Sequence, residues 1–207
     1  MAQDPDQATG EPTFSVIDRR VAYKGFTRLE VLDVDQVTRA GVVMRIRREI
    51  ETHGAGAAVL AYDPQLRRAI LVRQLRVAVG EILPQSAYLL EVIAGLVDHP
   101  DGGAMLAARR EAMEEAGLRL GAMTEVAAPF STPGISTERL ALFLAEVDLS
   151  HDRVTAGGGL AEEHEDIEVV DIPLAELARM ADAGEILDLK TFALIQTLRL
   201  RRPDLFG

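Results

Sequence analysis

Apolar and polar positions alternate along Phe14–Lys24 and again along Phe26–Asp33. That period of two predicts strands with one face turned toward a core. Tyr23-Lys24-Gly25-Phe26 lies between them as a turn. Gly41–Glu51 (GVVMRIRREIE) alternates in the same way and predicts a third strand. After Gly54-Ala55-Gly56 the pattern changes. Short apolar runs at Ala57–Tyr62 and Ala69–Val72 flank Asp63-Pro64, a strand–turn–strand signal. Tyr88–Ala94 (YLLEVIA) predicts one buried strand. Met105–Ala116, rich in Ala, Glu, Arg and Met, predicts a helix that Gly117 stops. Leu140–Val147 and Ile167–Ile172 predict further strands, and Leu174–Ala183 and Thr191–Arg201 have helical spacing. Mixed strands with a few helices predict an α/β or α+β sandwich.

The length, 207 residues, suits one domain or one domain with a small extra layer. The pattern divides it into a tail (1–12), an N-terminal β layer (13–54) and a main domain (55–207). Met1–Pro12 is polar and acidic without an apolar stretch, so a disordered tail is expected there and not a signal peptide. Cysteine is absent, which excludes disulfides, thiolate nucleophiles and Cys-based zinc sites and agrees with a cytoplasmic location. No apolar run approaches the roughly 18 residues a membrane helix needs. Lys and Arg number 22 against 33 Asp and Glu, a formal charge of −11. Such a surface repels nucleic acid, so no nucleic-acid partner is expected. It also repels a phosphorylated small molecule unless the site carries cations of its own.

The chemistry is concentrated between Glu91 and Leu118. On a helix, Glu111, Glu114 and Glu115 fall within about 100° of arc. Like charges at that spacing destabilise an isolated helix by a few tenths of a kcal/mol. They also lie near its C-terminal end, where the macrodipole disfavours anions. Arg110 can bond Glu114 at i, i+4, but one guanidinium does not neutralise three acids. A hard divalent cation such as Mg²⁺ does. In isolation the stretch reads as a solvated glutamate-rich face. What precedes it argues otherwise: a buried strand ending in Ala94-Gly95 feeds a loop, Gly95–Gly103, that carries Asp98 and Asp101.

This segment resembles the Nudix box, GX5EX7REUXEEXGU, with U a bulky aliphatic residue. Gly95, Arg110, Glu111, Glu114, Glu115, Gly117 and Leu118 fit it. Three features depart: Asp101 stands at the first Glu, eight residues instead of seven precede Arg110, and Ala112 replaces the first aliphatic. The resemblance implies a Nudix fold, a mixed sheet between helices. It also implies an N-terminal antiparallel β layer exchanged between the subunits of a homodimer. It further implies Mg²⁺ as cofactor, with Mn²⁺ as an alternative ion. Carried over by position, the metal ligands are Glu111, Glu115 and the Ala94 carbonyl, with Glu114 assisting and Arg110 orienting a glutamate through a charge-assisted bond.

Three further segments resemble sugar-nucleotide hydrolases of that family. Ser131-Thr132-Pro133-Gly134 with Ser136-Thr137-Glu138-Arg139 is similar to a segment of ADP-ribose pyrophosphatases and implies substrate contacts at Pro133 and Glu138; otherwise it reads as an ordinary turn. Gly157–Ile167, glycine-rich and acidic, is similar to a loop of ADP-ribose and GDP-mannose pyrophosphatases. By that likeness Glu163 is the catalytic base, Glu165 helps hold metal, and the glycines allow closure over substrate; His164 between them is read as a bystander, with a general-base role as the alternative. Otherwise it is a solvated loop. Arg73-Gln74-Leu75-Arg76 implies Arg76 at the substrate phosphates, or else in a surface salt bridge, and for Glu91 the resemblance implies a contact with the terminal ribose or with a metal-bound water. The expected activity is hydrolysis of a nucleoside diphosphate sugar. ADP-ribose giving AMP and ribose 5-phosphate comes first, with GDP-mannose or UDP-glucose as alternatives. Gly184-Glu185-Ile186 and Lys190-Thr191 look at least as much like the GDP-mannose enzyme. A non-catalytic nucleotide-binding module is the alternative of another class; the retained helix glutamates argue against it.

Overall fold

A computed structural model describes residues 13–97, 102–160 and 165–207. The expected tail Met1–Pro12, the loop acids Asp98 and Asp101, and Glu163 and His164 lie outside the described residues. The chain divides into two compact units, Met1–Gly54 with Phe130–Glu138, and Ala55–Pro129 with Arg139–Gly207.

The first unit is an antiparallel meander of β1 (Thr13–Lys24), β2 (Arg28–Val37) and β3 (Val43–Thr52). Opposite charges stand across its strands: Arg45 and Arg47 of β3 grip Asp35 and Asp33 of β2 through paired guanidinium bonds of 2.7–3.0 Å. Val31, Leu32 and Val34 of β2 are buried. The alternation in Phe14–Lys24 predicts a half-buried strand, and here the structure differs. Every position of β1 is exposed, Phe14 at 73 % and Tyr23 at 58 %. The pattern is that of a strand with a covered face, yet no described element of the chain covers it. Segment Ile135–Thr137 joins the end of β3: Glu51 N–H donates to Ile135 O at 2.8 Å, and Thr137 N–H to Glu51 O at 3.1 Å.

The second unit holds a mixed sheet in the order β10-β5-β4-β9-β8, formed by β4 (Gly56–Asp63), β5 (Arg68–Leu75), β8 (Met123–Ala127), β9 (Leu140–Glu146) and β10 (Glu168–Pro173). β4 and β9 run parallel; the other pairs are antiparallel. β4 is buried along its whole length because both faces are covered. Ala57, Val59 and Ala61 pack with Ala107, Ala108, Ala112 and Ala116 of helix α2 (Ala104–Ala116). Ala58, Leu60 and Tyr62 pack with α3 (Leu174–Asp182) and α4 (Leu189–Arg201). Small alanines on both sides let α2 approach the sheet closely, which also explains why Ala112 occupies a position where the motif has a bulky aliphatic.

The single strand expected over Tyr88–Ala94 is two strands, β6 (Tyr88–Glu91) and β7 (Ile93–Leu96). β4 and β5 pair with each other only from Ala61 to Asp63; before that the segment lies between them, β6 bonding β5 and β7 bonding β4. The change of partner breaks the ladder at Val92. Its N–H is satisfied by Thr191 Oγ1 at 2.8 Å. Apolar continuity cannot show such a switch. A helical turn, α1 (Val77–Gly80), and the strand β8 carry too little periodicity to be expected and are present.

Candidate functional site

Helix α2 places Glu111 and Glu115 against β7 and Glu114 beside Arg110. Glu111 and Glu115 are buried, at 9 % and 2 % exposure. Glu115 Oε2 accepts the Ala94 N–H at 3.2 Å. Glu111 lies against Gly95, where a Cβ would collide with its carboxylate, so the first motif glycine is needed for the close approach of strand and helix. Arg110 Nη1 lies 2.8 Å from Glu114 Oε2 and 2.9 Å from Glu111 Oε1, and Nη2 donates to Leu96 O at 3.2 Å. One guanidinium thus ties two of the glutamates to the end of β7. α2 stops at Gly117, in the left-handed region with φ 65°.

Burial pushes the Glu111 carboxyl up to about 7; Arg110 opposes this, while Glu114 and Glu165 reinforce it. Burial pushes Glu115 up to about 8, with repulsion from Glu111 and Glu165 adding to it and the Ala94 N–H opposing it. Two buried carboxyls held together in this way, with too little cationic charge around them, are a donor set fit for a hard divalent cation. Among the described residues no three acidic or imidazole side chains close into a cation cage unaided. The hard oxygens available nearby belong to Glu111 and Glu115, to the backbone of Ala94 and Gly95, and to Glu165. Glu165 Oε2 accepts the Leu160 N–H at 2.9 Å.

A second cluster flanks Val92. Glu91, 2 % exposed, receives both arms of Arg76 at 2.7 and 2.8 Å and Lys190 Nζ at 2.8 Å. Burial alone would raise the Glu91 carboxyl, but Arg76 and Lys190 draw it below the usual range. Lys190 also bonds Asp188 at 2.9 Å, and Asp188 caps α4 by accepting the Thr191 N–H at 2.9 Å. Arg76 is therefore ion-paired, as one reading of the sequence expects, yet its side chain stays 40 % exposed. A cation so oriented can still face an anion from outside. Sequence reasoning missed Lys190 and Asp188 as partners of this cluster; the one readable signal was Asp188 three residues before Thr191, a helix-cap pattern.

Pro133 and Glu138 belong to the first unit. Glu138 Oε1 stands 3.3 Å from His53 Nε2, and Glu51 Oε1 stands 2.6 Å from His53 Nδ1. Burial would lower the His53 pKa, but the two carboxylates raise it. The structure thus brings together Ala94, Arg110, Glu111, Glu114 and Glu115 in one cluster and Arg76 with Glu91 in another, while Glu165 and Arg76 act on Glu115 through their charge. Glu138 has its own partners, and Glu163 is not described.

A mixed sheet between helices, with an Arg-Glu-x-x-Glu-Glu helix packed on the strand that leads into it, defines a Nudix domain. The NUDIX domain family matches residues 52–190, and the chain belongs to it. Among its relatives is the GDP-mannose pyrophosphatase of Cronobacter sakazakii (strain ATCC BAA-894), 36 % identical over 186 residues that cover 90 % of this chain and 95 % of the relative. The GDP-mannose pyrophosphatase of Citrobacter koseri (strain ATCC BAA-895 / CDC 4225-83 / SGSC4696) is 35 % identical over 184 residues, 89 % of this chain and 94 % of its own. A crystal structure of an ADP compounds hydrolase shares the fold with a TM-score of 0.71 at 17 % identity, covering 92 % of this chain and 95 % of that one. Among the described residues no helix is long and apolar enough to cross a membrane.

Proposed function

We propose that this protein hydrolyses the pyrophosphate of a nucleoside diphosphate sugar with the help of a divalent cation, Mg²⁺ or Mn²⁺, and that GDP-mannose is its first substrate. The observation that carries the reading is the buried pair Glu111 and Glu115 beside Ala94, on a helix whose Arg110 is already committed to two glutamates. The choice of GDP-mannose follows the relatives, which are GDP-mannose pyrophosphatases over nearly their full length. ADP-ribose is the second reading, favoured by the Ser131–Arg139 segment.

The residues divide the work as follows. Glu111, Glu115, Glu165 and the Ala94 carbonyl hold the cation, and Arg110 keeps Glu114 and Glu111 in place. When bound, the cation neutralises charge on the pyrophosphate oxygens and polarises the phosphorus under attack. Arg76, fixed by Glu91, orients the phosphates and supplies the positive charge that an acidic protein needs to hold them. The likeness of the Ser131–Arg139 segment assigns substrate contacts to Pro133 and Glu138. Glu163 takes the proton of the attacking water. The water oxygen bonds to phosphorus, the P–O bond of the bridge breaks, and the bridging oxygen leaves on the other phosphate, giving GMP and mannose 1-phosphate.

The reading includes a cytoplasmic location and a homodimer formed through residues 13–54. Parallel assays of the purified protein with GDP-mannose, ADP-ribose and UDP-glucose test it, with products identified by mass spectrometry. GMP and mannose 1-phosphate formed faster than the other products is the expected result. Turnover of ADP-ribose alone would transfer the reading to its second form, and turnover of none of the three, with Mg²⁺ or Mn²⁺ present, would end it.

A further inference from the structure

The glycine run before Glu165 does more than permit a bend. The last carbonyls of a helix lack partners within it. In α2 the Met113 carbonyl receives the Gly117 N–H at 3.1 Å. The next two belong to Glu114 and Glu115, and their partners come from elsewhere in the chain: Gly159 N–H donates to Glu114 O at 3.1 Å and Gly158 N–H to Glu115 O at 2.8 Å. At Gly157 and Gly159 only a bare Cα fits so close. Gly157, Gly158 and Gly159 have φ of 71°, 119° and 81°. A Cβ on Gly157 would meet the Glu115 carbonyl and stand 2.7 Å from the backbone of Ala116. A Cβ on Gly159 would stand 2.6 Å from Glu165 Oε2. The run ends at Leu160, whose N–H holds that same Glu165 oxygen at 2.9 Å. Glu115 is thus pinned twice, by its side chain to Ala94 and by its carbonyl to Gly158. Two N–H groups also sit on the negative end of the helix dipole, beside the acids that it disfavours.

We propose that Gly157–Gly159 is a clamp of positioning residues that docks onto the end of α2 and sets the carboxylates of Glu115 and Glu165 in the arrangement that takes up a divalent cation. The inference rests on the reading that these glutamates hold metal. Gly157 and Gly159 exclude side chains from the two contact points, and Gly158 and Gly159 supply the donors.

Mn²⁺ binding to the full chain, read by electron paramagnetic resonance, tests this alongside melting in chelator and steady-state kinetics. Gly159→Ala is expected to weaken Mn²⁺ binding by about tenfold or more and to lower kcat, with KM changed less than about twofold. Gly184→Ala is the control: its φ is 72°, and a Cβ there meets nothing within 4 Å. It shares the backbone strain and should lower the melting temperature without touching Mn²⁺ affinity. If Gly159→Ala binds Mn²⁺ as wild type does, or Gly184→Ala weakens binding equally, the clamp is wrong. Amide exchange on the wild-type protein needs no variant to fold. Protection of the Gly158 and Gly159 N–H groups comparable to that of α2 supports the clamp, and free exchange overturns it. Glu115→Gln separates the two levels: undiminished Mn²⁺ binding in that variant removes the metal reading and the clamp with it. Loss of binding in Glu115→Gln together with wild-type binding in Gly159→Ala removes the clamp alone.

Discussion

Glu115 carries two opposed demands. Burial pushes its carboxyl up to about 8 and that of Glu111 up to about 7, from an ordinary value of 4.5. Between about 4.5 and 8 the folded chain therefore holds protons that the unfolded chain has released. Where the native state binds more protons, stability falls as pH rises. Metal-free protein is accordingly expected to melt on the order of 5 °C lower at pH 8 than at pH 5, with Mg²⁺ restoring the difference at the upper pH. Scanning calorimetry in chelator and then in Mg²⁺ checks this; a melting temperature that rises with pH in chelator would contradict it. Glu115→Gln removes the charge and keeps the shape. In chelator at pH 8 it is expected to melt above wild type, while its turnover falls by more than the roughly 10–100-fold typical of groups one step removed from a metal. A variant less stable than wild type at that pH, or one that keeps its rate, would show that the buried charge has been misread. These glutamates were legible in the sequence because one helical turn contains them all. The partnership of Glu91 with Lys190 was not, because 99 residues separate them and neither signals the other.

At the level of elements, the site depends on a broken strand. β6 and β7 read as one apolar run, and only the divergence of β4 from β5 splits them. The break sets Glu91 on one side of Val92 and Ala94 on the other, each beside its own charged cluster. Thr191, fully buried, closes the gap: its hydroxyl accepts the Val92 N–H and donates to Asp188, the cap of α4. Thr191→Val keeps the volume and strands that N–H. The expected cost is about 2 kcal/mol, or on the order of 6 °C in Tm for a chain of this size. Thr191→Ser, which retains the hydroxyl, should lose less than half as much. Paired melts of the two variants decide; equal losses would mean that the methyl contact matters and the hydrogen bond does not. The helices and most strands were legible because each carries its own periodicity. β8 and α1 were not, since their exposed, short segments take their form from neighbours.

For the whole molecule, β1 calls for a partner surface. Its sequence alternates as a half-buried strand does, and Phe14, Val16 and Val21 are nonetheless exposed on one face of the meander, with Met44 of β3 on the same face. An exposed apolar strand face of this kind is an interaction surface or an aggregation liability. A net charge of −11 keeps copies apart at long range, so association has to come from burying that face. A second copy of the chain presents the same pattern, and an isologous contact between two such faces closes as a pair instead of growing into a filament. Light scattering on the eluting protein is therefore expected to give a mass near twice 22.5 kDa. Placing charge on the face by Val16→Asp together with Val21→Asp should shift the protein toward the single-chain mass, because a carboxylate in a dry contact costs more than the lost apolar area. Arg45 and Arg47 on β3 keep their pairs with Asp35 and Asp33 in that variant, so the meander itself should stay folded. A wild-type protein that elutes as one chain at micromolar concentration, or a double variant that remains a dimer, would place the partner of β1 elsewhere.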